Sequence, residues 1–150
     1  KNKSPYKNHL SAGLGPGGRK SGRIDFYLHI QPGGASFLGG GMWESDPEML
    51  AKYRQEVDYN AAEIKKIIEH PDFKKYYPQV WGEVLKTAPK GYPKDHPEID
   101  LIRRKQLFFM HNFSDRELQS PKLVDTIIEG MIILKPFCDL LNYVFFDEKE

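Results

Sequence analysis

A chain of 150 residues with 22 Lys+Arg against 21 Asp+Glu has a formal net charge of +1 and the length of one domain, expected to span residues 1–150. Hydrophobic residues at 39% and aromatics at 13% supply a core and exclude wholesale disorder, while the near-neutral balance argues against a dedicated nucleic-acid binder. One cysteine excludes a disulfide framework or a cysteine-rich zinc site, and no long apolar run or signal-peptide pattern points to a membrane span or secretion, so a reducing cytoplasm is the expected compartment.

The chain opens at Lys1 rather than methionine, so the natural N-terminus is expected to lie upstream. Up to Arg23 every charge is basic: Lys1, Lys3, Lys7, Arg19, Lys20 and Arg23. Residues 8–14 read as a strand with Leu10, Ala12 and Leu14 on one face, followed by a glycine-rich connection. Over residues 24–30, Ile24, Phe26, Leu28 and Ile30 alternate with Asp25, Tyr27 and His29, the period of a half-buried strand. Pro32-Gly33-Gly34 then supplies a turn into a second strand over 35–43, which predicts a hairpin.

Ser45-Asp46-Pro47-Glu48 carries the cap, proline and acid of a helix start. The apolar stripe Leu50, Tyr53, Val57, Ala61, Ile64 and Ile68 predicts one helix ending at His70-Pro71. A short helix over 73–77 follows. Asp95-His96-Pro97-Glu98 predicts another capped start, with Asp95 as the cap. Residues 107–113 read as a strand with apolar residues on both faces, and Ser114 and Glu117 have capping-box spacing. A last, deeply packed helix is expected from Ser120-Pro121, kinked or divided at Pro136. Strands first, then helices, with one late strand, predict an α+β fold: a small antiparallel sheet packed against helices, including a long C-terminal helix.

Three segments carry the candidate chemistry. Gly39-Gly40-Gly41 weakens a strand and implies a bulge, close approach of a ligand, or tight packing against the last helix. Lys90, Tyr92, Lys94 and His96 sit in a loop stiffened by Pro89, Pro93 and Pro97, the kind of ordered polar loop that binds ligands. His29 shares the polar strand face with Asp25 and Tyr27. The Gly13 to Ser21 stretch lacks the glycine before lysine and the following helix that a phosphate loop requires. No compact ligand spacing supports a metal at His29 or His111, no motif implies a cofactor, and no Gly-x-Ser-x-Gly elbow is present. Cys138, on the packed last helix, reads as a buried small hydrophobe.

Lys3-Ser4-Pro5-Tyr6-Lys7, Phe26-Tyr27-Leu28-His29-Ile30, Phe37-Leu38-Gly39-Gly40-Gly41-Met42-Trp43, the run from Pro89 to Pro97, and Leu134-Lys135-Pro136-Phe137 occur in one order across nearly the whole chain. Together they resemble the microbial conserved hypothetical proteins of domain-of-unknown-function family 2461. The resemblance carries no established activity or catalytic residues. It implies a further helical segment upstream of the Lys-Ser-Pro-Tyr-Lys motif, able to cover apolar surface.

The functional expectation from the residues is a small anionic ligand held in one cleft by Lys7, His29, the backbone of Gly39, Gly40 and Gly41, and Lys90, Tyr92, Lys94 and His96. The alternatives are an enzyme using His29 or His96 as general base, and a module binding a protein or nucleic acid through exposed aromatics and the basic arm. No membrane partner is expected, and neither substrate nor oligomeric state can be read from the sequence.

Overall fold

In the computed structural model, which describes residues 6–146, the period-2 segments become neighbouring antiparallel strands: β1 (Leu10–Leu14), β2 (Phe26–Ile30) and β3 (Ser36–Met42). β5 (Leu107–Phe113) pairs with the other edge of β3, and β4 (Gln79–Trp81) completes the sheet in the order β1-β2-β3-β5-β4. β4 is absent from the expectation because it is three residues long, bracketed by Pro78 and Gly82, and too short for periodicity to mark.

The register sorts side chains between two faces, because directly paired residues in an antiparallel sheet point the same way. Leu28, Leu38 and His111 line up on one face, as do Met42 and Leu107. This face is covered by α5 (Leu123–Phe146), whose Leu134, Phe137, Cys138 and Leu141 are buried against it. Gly40 makes the approach possible: a Cβ there would lie 2.8 Å from Leu134 Cδ2 and 3.2 Å from Cys138 Sγ. Helix α1 (Pro47–Ile68), capped by Asp46 accepting from Met49 N–H at 2.8 Å, packs on α5 through Tyr53, Val57 and Ile64. These pairings make the fold α+β: a five-stranded antiparallel sheet backed by helices, including a long C-terminal one.

The remaining helices are short and tied by side chains. α2 (Pro71–Tyr76) lies against Gly130 of α5, where a Cβ would fall 2.5 Å from the Tyr76 ring. Tyr76 and Tyr77 donate their hydroxyls to the Thr126 and Gly130 carbonyls at 2.5 and 2.7 Å. α3 (Ile99–Ile102) is held to α1 by Tyr53 Oη donating to the Leu101 carbonyl at 3.0 Å.

Several expectations are corrected. α1 is not straight: Asn60 leaves helical geometry (φ −134°, ψ 31°), and its Nδ2 donates to the buried Glu56 Oε1 at 3.1 Å. Asp95 caps nothing. α3 begins at Ile99 after Glu98, with no side-chain cap, and the Glu98 N–H is taken by His96 Nδ1 at 3.0 Å. α5 is not divided at Pro136. The carbonyl that loses its helical donor there belongs to Ile132, on the solvent side of the helix, where water can replace the missing N–H. Among the described residues, no helix is long and apolar enough to cross a membrane.

Ser114 forms the expected capping box of α4 (Asp115–Leu118), and Asp115 reaches back to the β2–β3 turn. Its carboxylate accepts from the Gly33 and Gly34 N–H groups at 2.9 and 3.1 Å, which holds its pKa below the ordinary 3.8. A depressed carboxylate contributes stability that is complete above its ordinary value and is lost as pH falls through the lowered one. Asp115→Asn is therefore expected to flatten the acid side of a curve of melting temperature against pH. An unchanged acid limb would show that these bonds carry no pH-dependent stability.

Candidate functional site

The sheet face away from α5 is unlike the core face. Tyr27 pairs with Gly13 on one side and Gly39 on the other, so the central aromatic is flanked by two residues without side chains. Two residue pairs along, Gly41 faces Phe108, and Phe108 faces Trp81 of β4. Phe37 and His29 pair directly. Rings therefore stand around a floor of bare backbone, and the result is a cleft of about 600 Å³ lined by Gly13, Arg23, Asp25, Tyr27, His29, Phe37, Gly41, Trp43, Glu44 and Phe108, among others.

The rings form two groups. On the β2 side, His29 lies between His9 (centroids 4.6 Å apart) and Phe37 (5.1 Å), both stacked on it, and Tyr27 leans on Phe37 at 5.6 Å. On the β5 side, Trp43 stacks on Trp81 at 3.9 Å and meets the Phe108 ring edge-on at 4.9 Å. The indoles of Trp43 and Trp81 are partly exposed, at 43% and 38%.

Hydrogen bonds fix the imidazole. His29 Nε2 lies 2.9 Å from Gln31 Oε1 and Nδ1 lies 3.1 Å from Tyr27 Oη. With Nε2–H donating to the amide oxygen, Nδ1 accepts from the Tyr27 hydroxyl. The Tyr27 oxygen then keeps its lone pairs for the cleft. Three charged residues line the site. Burial raises the Asp25 pKa, and the nearby Arg23 charge partly offsets this. Glu44 adds a second acid, whereas the Arg23 guanidinium lies 5.7 Å over the Phe146 ring at the end of α5.

The expected segments do not converge on one cleft. His29 and Gly41 line it. Gly39 sits beside it beneath Phe108, whose Cε1 would be 2.5 Å from a Cβ at that position. Gly40 faces the opposite way, into α5, so packing between elements accounts for Gly39 and Gly40. Lys7 is exposed ahead of β1 and is not among the lining residues. Lys1 and Lys3 lie outside the described residues.

The Lys90–His96 loop belongs to another surface. His96 Nε2 donates to Asp58 of α1 at 2.8 Å, and Nδ1 accepts from the Glu98 N–H. Tyr92 meets the His96 ring edge-on at 6.3 Å, and burial raises its pKa. Lys90 and Lys94 are exposed beside them. The physical reason is the one-turn helix that follows: to keep α3 on α1, the loop must run along α1, and its histidine is the tether.

His111 is structural. On the core face it stacks on Tyr76 at 4.0 Å and donates from Nδ1 to the Tyr76 carbonyl at 2.6 Å. Cys138 is buried as expected, and burial pushes its pKa up to about 12. Asp25 and Tyr27 were visible as a polar strand face, but Phe37, Trp43, Phe108 and Glu44 were missed as site residues. The adjacent Phe108 and Phe109, which a strand sends to opposite faces, were the available signal for a ring on the second face.

Searches among curated proteins and among solved structures return no match to this chain. A family model of conserved hypothetical proteins, whose function is unknown, matches residues 1–140. That span takes in all five strands and most of α5, and with it every residue that lines the cleft. The chain belongs to the conserved hypothetical protein family DUF2461.

Proposed function

We propose that the protein binds a small organic ligand in the cleft on the open face of the sheet. The observation that carries this reading is the arrangement of Tyr27, Phe37, Trp43 and Phe108 around a glycine floor, with polar groups at one side. An apolar concavity of about 600 Å³ with a few convergent polar atoms has the size and chemistry of a ligand site. The anionic ligand expected from the sequence loses its support here, because Lys7, Lys90 and Lys94 do not line the cleft.

Binding is favoured over catalysis by the same geometry. A general base needs a nitrogen free to reach substrate. His29 and His96 each engage both ring nitrogens within the protein, and His29 is also covered on its ring faces.

The chain has two tryptophans, and they are stacked at the cleft, so intrinsic fluorescence reports directly on its occupation. A fragment screen read by this emission is expected to yield ligands whose binding is weakened about tenfold or more by Trp43→Leu, on the scale of losing one aromatic wall. Lys90→Ala and Lys94→Ala, on the other surface, are expected to leave binding unchanged. Ligands indifferent to Trp43→Leu, or sensitive to the lysine changes, would move the site elsewhere.

A further inference from the structure

We infer that the ligand is an organic cation carrying a quaternary or heavily alkylated ammonium group, seated between the two groups of rings and neutralised by Asp25 and Glu44. This rests on the cleft being a ligand site and adds the chemistry that the site selects.

The walls come first. His9, His29, Phe37 and Tyr27 form one chain of ring contacts, and Phe108, Trp43 and Trp81 form another. Members of both chains line the same cleft. The floor between them is bare backbone at Gly13 and Gly41, while the Phe108 ring lies over Gly39. Ring faces carry negative quadrupole charge and attract a cation placed between them, and an alkylated ammonium gives up its water more easily than a primary amine or an anion.

Charge then selects. An aromatic slot alone accepts neutral rings as readily as cations. This one is lined by two carboxylates, Asp25 and Glu44, against one guanidinium, Arg23, which acts on Asp25 and also lies over the Phe146 ring, so acid is in excess. An anion would meet both acids and the negative ring faces. A neutral ligand would leave the excess acid of the lining uncompensated. An ammonium group satisfies both sets of groups at once.

The test compares three probes of nearly identical shape by titrating tryptophan emission: choline, the neutral 3,3-dimethylbutanol and the anion 3,3-dimethylbutyrate. Choline is expected to bind about tenfold or more tightly than the alcohol, and the anion least well, from cation–π contacts of roughly 1–2 kcal/mol in total. Glu44→Gln, at an exposed position that leaves the fold undisturbed, is expected to weaken choline several-fold and leave the alcohol unchanged. Asp25→Asn should act in the same direction. Equal binding of choline and the alcohol, or preference for the anion, overturns the cation assignment while the cleft remains a ligand site. Absence of binding by all three also overturns it. The fragment screen then decides separately: hits sensitive to Trp43→Leu preserve the site, and their absence removes both readings.

Discussion

Gly41→Ala is expected to lower stability by about 3 kcal/mol or more, from a strained backbone together with a backbone clash. Gly41 has φ +128°, which L side chains rarely adopt, and a Cβ there would lie 2.3 Å from the Leu107 carbonyl oxygen. That oxygen belongs to the neighbouring strand and cannot turn aside. The other two glycines of the run rank below it for stated reasons. At Gly39 the obstacles are the Phe108 ring at 2.5 Å and the Phe109 carbonyl oxygen at 2.7 Å, with no unusual φ. At Gly40 the nearest atom is the tip of Leu134, which can rotate, so Gly40→Ala should be the mildest. Gly13→Ala is the control, because nothing lies within 4 Å of a Cβ there. Thermal melts should place the variants in the order 41, 39, 40, 13, with the first lowered by roughly 10 °C. A Gly41→Ala protein melting with the wild type would refute this account of β3.

Phe137→Ala should cost a comparable amount, roughly 3–5 kcal/mol, because it empties the junction between α5 and the sheet. Phe137 is fully buried, with the Phe109 ring edge-on at 5.2 Å and Phe73 at 6.3 Å. It also borders the space beside Gly41, where its Cε1 would be 3.1 Å from a Cβ. One ring therefore touches elements that approach it from the sheet and from α2, and no single neighbour can relax into the void. Phe137→Leu, which keeps most of the volume, should lose about half as much or less. Urea titrations read by far-ultraviolet circular dichroism would give both values. A loss for Phe137→Ala no larger than for Phe137→Leu would mean that the junction collapses to fill the cavity.

The sheet was legible where its strands were long enough to repeat. Residues 24–30 alternate over seven positions and 107–113 form a run apolar on both faces, so both strands could be read before pairing was known. The capping box at Ser114 was legible for a similar reason, since its partners lie three residues apart. The bend at Asn60 and the strand Gln79–Trp81 were not. The bend involves one residue inside an unbroken apolar stripe, and the strand has no period to show. The site was half legible. Alternation placed Asp25, Tyr27 and His29 on one face, but only register brings Phe37 and Gly39 beside them and Phe108 opposite Gly41. The Lys90–His96 loop looked like a binding segment by composition. Its placement depends on a hydrogen bond to Asp58, 38 positions away, which no local pattern announces.

The indole stack has a use as an optical gauge. β4 is three residues long, exposed along its length and bonded to the sheet on one side through β5, so it is a natural place for fraying to begin. Trp81 rides on that strand, whereas Trp43 follows the central strand. Two stacked chromophores 3.9 Å apart, their planes inclined at 14°, couple their excited states, and the coupling collapses when either moves away. The resulting couplet in circular dichroism would disappear when the edge strand peels off, ahead of the helical signal. Edge opening and global unfolding would then register as separate events in one spectrum.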